Sequence, residues 1–144
     1  MQLEYAFLAD SAQVSSDGKM FVLGGGIDRI FSKQFPATHP YMSLVVKIQL
    51  HPAECEREHG LEVELWDPDG KSIGGKVAAT FSAPRQPGGR PSYVQLVMNV
   101  LNAEFRVPGD YAFQIVADGQ LLKTLPIHLE LLPSEQANAD QRLG

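Results

Sequence analysis

The chain has 144 residues, with 12 Lys and Arg against 17 Asp and Glu, a formal charge of -5, and 44% hydrophobic residues. That is one domain's worth of chain with enough apolar content for a core, which excludes a disordered protein. The acidic balance excludes non-specific nucleic-acid binding, which draws on clustered Lys and Arg, and no apolar run approaches the ~20 residues that span a bilayer.

The pattern is one of short strands. Leu3, Tyr5 and Phe7 suggest a first strand. Asp17-Gly18 predicts a hairpin, flanked by Gln13-Val14-Ser15 and Met20-Phe21-Val22-Leu23. Gly24-Gly25-Gly26 interrupts the chain and Ile27 to Phe31 resumes it. From Tyr41 to Leu50 the alternation is clean: Met42, Leu44, Val46, Ile48 and Leu50 share one face, with Ser43, Lys47 and Gln49 on the other. Pro52 to His59 predicts a single helical turn stopped by Gly60. Leu61, Val63 and Leu65 then alternate with Glu62, Glu64 and Trp66, ending at the turn Asp67-Pro68-Asp69-Gly70. Ile73, Val77, Ala79 and Phe81 mark a return strand, and Gly74-Gly75 a bulge or close backbone approach within it.

Ala83 to Pro91, with three prolines and two glycines, is a loop. Tyr93 to Leu101 is a strand with Val94, Leu96, Met98 and Val100 inward; Tyr93, Val97 and Leu101 on its other face are apolar too. A turn at Val107-Pro108-Gly109-Asp110 leads to Tyr111, Phe113, Ile115 and Ala117. Asp118-Gly119 is a two-residue hairpin signal. The last strand, about Gln120 to Leu132, puts Leu121, Leu125, Ile127, Leu129 and Leu131 on one face. Residues 133–144 read as a polar, flexible tail behind a single domain of residues 1–132. About eight or nine strands at ~8–12-residue spacing predict an all-β fold, an immunoglobulin-like antiparallel β-sandwich with an irregular N-terminal hairpin.

The opening, Tyr5-Ala6-Phe7-Leu8-Ala9-Asp10-Ser11-Ala12, followed by Asp17-Gly18-Lys19 and Leu23-Gly24-Gly25-Gly26-Ile27-Asp28, resembles a family of small uncharacterised bacterial proteins, a domain of unknown function. Asp67 to Lys71 and Pro108 to Gly119 extend the likeness, which covers about Leu3 to Leu132. The resemblance implies the sandwich and a bacterial cytosolic origin, and supplies no catalytic residues. A cytoplasmic location is also expected because the start, Met1 to Asp10, lacks a basic segment followed by an apolar run. One cysteine, Cys55, allows no intrachain disulfide.

Few residues carry chemistry. His51, Cys55 and His59 lie four apart, but the eight-residue helical span of about 12 Å is too long for one zinc. Asp67, Asp69 and Asp118 are turn residues on loops at opposite ends, where calcium ligands cannot converge. Gly24-Gly25-Gly26 lacks the Lys-Ser/Thr and helix of a phosphate loop, and reads as a crossing between sheets or a flexible edge. The four histidines, His39, His51, His59 and His128, are scattered and read as solvated. Arg85 and Arg90 flank a loop. No nucleophile motif is present, so no enzyme, metal or cofactor is expected.

What remains is apolar surface. Trp66, Val116, Leu122 and Pro126 take the outward phase on neighbouring strands and predict one patch; Tyr93, Val97 and Leu101 predict a second, unless the N-terminal hairpin covers it. The expected function is a protein-interaction or structural module that associates with itself, as a homodimer or higher oligomer, through a sheet face or edge. The alternative is a small-ligand or carbohydrate-binding sandwich using Trp66 or loop aromatics. Neither nucleic acid nor membrane is an expected partner.

Overall fold

The computed structural model describes residues 1–133. The expected tail lies outside the described residues, apart from Pro133. Among the described residues, nine strands form two sheets: β1 (Gln2–Val14), β2 (Met20–Gly25), β3 (Arg29–Ser32), β4 (Ala37–Leu50), β5 (His59–Trp66), β6 (Ser72–Phe81), β7 (Ser92–Phe105), β8 (Gly109–Ala117) and β9 (Gln120–Leu131). Sheet order is β2-β1-β4-β7 in one layer and β3-β9-β8-β5-β6 in the other. The expected β-sandwich is the fold, with one departure from an all-antiparallel arrangement: β3 pairs with β9 in parallel.

The alternating phases build the core. Met42, Leu44, Val46, Ile48 and Leu50 of β4 are fully buried, facing Leu61, Val63 and Leu65 of β5, Phe113 and Ile115 of β8, and Ile127 and Leu129 of β9. Tyr111 lies edge-on to Phe105, and its hydroxyl donates to the Val107 carbonyl at 2.7 Å. That bond pins the Val107–Asp110 turn to the strand that follows. Gly109 has a φ of +144°, and a β-carbon there would stand 2.8 Å from the Pro68 ring, so the turns β5–β6 and β7–β8 can meet only through glycine. Asp67 organises its own turn by accepting from the Asp69 and Lys71 amides.

The sequence periodicity breaks in four places, three of them at register shifts and the fourth, on β7, with the register to β4 unchanged. The β1–β4 register shifts between Leu3 and Tyr5, so Leu3 aligns with the inward Ile48, whereas Tyr5 and Phe7 align with Lys47 and Val45 on the outer face. In β6 the register moves by two residues around Gly74-Gly75, where Val63 pairs with Val77 but Leu65 with Ile73. Gly74 has a φ of +71° and open space beside it, so this is a bulge and not a close approach. On β7, Asn102 takes a φ of +53° and the inward set changes from Met98 to Ala103 and Phe105. In β9 the register shifts next to Leu122, which turns inward while Leu121 turns out.

The helical turn is also shorter than expected. A 3₁₀ turn spans Pro52–Glu54 only, and Gly60 sits within β5. The three glycines mark the crossing between sheets. The Gly26 and Ile27 amides donate to the Leu8 carbonyl of β1, and the Asp28 carbonyl accepts from the His128 amide of β9.

Candidate interaction surface

β7 is a terminal strand of the four-stranded sheet. Its 14 residues give an edge of roughly 45 Å along which one row of backbone N–H and C=O groups has no strand partner. The stretch contains no proline, lysine or arginine, the residues that blunt exposed edges. The other edges are shorter or interrupted: β2 has six residues, β3 four, and β6 carries the glycine bulge followed by Lys76.

The outer face beside this edge is partly covered. Tyr5, Lys47 and Gln95 form one cross-strand row. Tyr5 Oη donates to Gln95 Oε1 at 2.9 Å, and Gln95 Nε2 donates to the Gly18 carbonyl at 2.7 Å. The tip of the N-terminal hairpin therefore folds over the sheet and reaches β7. Ser43 and Val45 carry outward phases and yet have no exposure. Val97, paired with Val45, is half-buried.

The hairpin leaves both ends of the β7 row open: Tyr93 is 50% exposed and Leu101 64%. Lys47 Nζ stands 5.0 Å from the Tyr93 ring centroid, within cation–π range. At the other end Leu101 lies opposite Tyr41, also exposed, whose hydroxyl donates to Asn99 Oδ1 at 2.9 Å. Tyr41 was legible as an outward residue by its odd phase on β4, but Pro40 before it obscured where the strand begins. Phe21 and Leu23 of β2 add further exposed apolar surface, Leu23 at 72%; the glycines that follow hid this strand's faces.

The predicted Trp66 patch is not continuous. Trp66 pairs with Ala112 and Ala112 with Pro126, making one apolar row with Trp66 38% exposed. A polar row follows, Glu64, Gln114 and Thr124, tied by Trp66 Nε1 donating to Glu64 Oε1 and Thr124 Oγ1 donating to Gln114 Oε1. Val116 lies beyond that row, next to Leu121. Leu122 is removed from the patch altogether, because the β9 bulge packs it against the core. Pro126 sits where proline is tolerated, since β3 pairs with β9 only from His128 onward and leaves that side of Pro126 free.

Between the edges of β6 and β7 lies a groove of about 720 Å³. Val63, Leu65, Tyr111 and Phe113 form its floor but are already buried, so the groove is sealed above the core. Leu101 and Val107 are its exposed apolar wall.

The histidine expectation needs the largest correction. His59 is only 2% exposed. Its Nδ1 lies 2.6 Å from Asp118 Oδ2, its Nε2 lies 2.7 Å from the Glu54 carbonyl, and its ring stacks on Phe81. Both nitrogens are engaged, and the Cys55 thiol points to the His51 carbonyl, so the three residues present no common ligand set. His128 is outward as expected, with Nδ1 2.6 Å from Asp110. Arg85 Nε donates to the Pro52 carbonyl at 3.2 Å.

Among the described residues no helix is long and apolar enough to cross a membrane. No curated protein matches the chain. A solved structure of Pseudomonas fluorescens alkylpurine DNA glycosylase AlkC, bound to DNA containing an abasic site analog, aligns with 87% of this chain at 9% identity and a TM-score of 0.39. This chain covers 30% of that one. Residues 4–130 match the family of unknown function DUF6941, and the chain belongs to that family.

Proposed function

We propose that this protein is a non-enzymatic interaction module of immunoglobulin-like type that pairs with a second copy of itself along β7. The observation that carries the reading is the 14-residue, unguarded β7 edge flanked by exposed Tyr93 and Leu101. A long open edge is a template for another strand. A second copy supplies the same strand antiparallel across a two-fold axis, the commonest symmetry of homo-oligomers. The immunoglobulin-like assignment is supported by the β4-β7 and β9-β8-β5 sheet halves and by the Tyr111 hydroxyl bonded four residues back. A bacterial cytoplasmic setting, and partners that are neither nucleic acid nor membrane, belong to the same reading, supported by the opening motif and the charge of -5.

Sedimentation at micromolar concentration tests it, with the wild type beside Tyr93→Lys/Leu101→Lys. Both replaced side chains are exposed, so the fold is retained. The expected result is a wild-type dimer burying on the order of 1,200–2,000 Å² and a monomeric variant. A monomeric wild type contradicts the reading. A dimer that survives both substitutions moves the interface to the Trp66 row.

A further inference from the structure

We propose that His59 is a protonation-dependent latch: as an imidazolium it ties the segment between β4 and β5 to the β8–β9 turn, and loss of its proton releases both. The ring faces two oxygens that only accept at neutral pH, the Asp118 carboxylate at 2.6 Å and the Glu54 carbonyl at 2.7 Å. A neutral imidazole has one N–H, so one nitrogen lone pair of this buried ring would be pressed against an oxygen. Only the doubly protonated ring satisfies both contacts.

The oxygens are held in place independently. Asp118 Oδ1 accepts from the Gly60 amide at 2.9 Å, and the Asp118 amide donates to the Gly60 carbonyl at 3.0 Å. The 3₁₀ turn fixes Glu54 through its amide to His51, and Glu56 is bonded to the Ala83 carbonyl. The elements around the ring leave few competing charges. The β8–β9 turn presents Asp118, and the loop after the 3₁₀ turn presents Arg57, whose charge opposes protonation. From β6, Phe81 stacks on the ring. The Glu54 carboxylate turns away to the Met1 amino group and the His51 amide. Burial disfavours the charged ring, but the Glu54 and Asp118 contacts outweigh it and hold the His59 pKa above its ordinary value. The His59 bond, then the Gly60 amide, holds Asp118 below the usual carboxylate range.

The signs define a window. A raised imidazole pKa adds stability fully present below the ordinary histidine value and lost as pH rises through the folded one. A lowered carboxylate pKa adds stability present above the ordinary aspartate value and lost as pH falls through the folded one. The latch is therefore closed at mildly acidic to neutral pH and opens on the alkaline side, loosening Pro52–Glu58 and the cover over Cys55.

The test is a titration of the intact wild type from about pH 5 to about pH 9, bracketing the ordinary histidine range. Nitrogen-resolved NMR reads the His59 ring while amide-exchange protection factors read residues 52–58. Both ring nitrogens are expected to carry protons near pH 6, with a midpoint above the ordinary histidine value and protection of 52–58 falling at least tenfold across it. In Asp118→Asn the midpoint drops by about one unit, the size of one lost charge partner. A single ring proton near pH 6 overturns the proposal, as does deprotonation with unchanged protection of 52–58.

Discussion

Replacing Phe113 by alanine lowers the free energy of unfolding by about 3–5 kcal/mol. Phe113 lies mid-strand on β8, which is itself central in its sheet, paired with Leu65 on one side and Leu125 on the other. Its ring is 1% exposed, and both neighbouring strands are anchored by their own buried residues, so the cavity cannot collapse. A denaturant series on wild type and Phe113→Ala measures the loss. A difference under about 1 kcal/mol means that the phase of β8 is wrong.

The second large effect is expected at His59. In His59→Ala the Asp118 carboxylate keeps the Gly60 amide but loses its charged donor, the Glu54 carbonyl loses the ring as a donor, and a void opens beside Phe81. Breaking a buried, hydrogen-bonded charge pair costs about 3–5 kcal/mol, and the half-exposed Asp118 puts this case at the lower end. Thermal unfolding near pH 6, with the latch closed, checks it. A melting temperature within a degree of wild type contradicts the role assigned to the ring. Because the measurement is made at one pH, it tests the contacts separately from the latch's titration.

Period-two alternation is a local property, and wherever a strand is regular it was legible. The inward sets of β4, β5 and β8 are buried as their sequence indicates, and the turns at Asp67–Gly70 and Asp118-Gly119 close where their residues place them. What was not legible depends on single-residue insertions and on partners distant in sequence. One extra residue flips every following side chain to the other face. The bulge beside Leu122 does this to β9, taking Leu122 from the predicted patch and exposing Leu121. The shift between Leu3 and Tyr5 does the same to β1.

The His59 site shows the second limit. A histidine between Glu58 and Gly60 at the start of a strand gives no periodic signal, and its carboxylate partner is 59 residues away. Asp118-Gly119 was recognised as a turn on backbone grounds, which is correct; that the same aspartate reaches a buried ring is a fact of tertiary packing. The β7 edge was half legible. The lack of proline and lysine after Ser92 singled out the strand, but its terminal place in the sheet and the hairpin crossing at Gln95 required the folded chain.

Pairing along β7 is tested most directly by amide hydrogen exchange as protein concentration rises. The amides of Ser92–Phe105 that point away from β4 are expected to exchange freely in dilute solution, while those bonded to β4 are protected throughout. As the dimer forms, the outward set gains protection at least tenfold, in step with the sedimenting mass. Outward β7 amides that stay unprotected while the mass doubles, or a mass that never rises, contradict edge pairing.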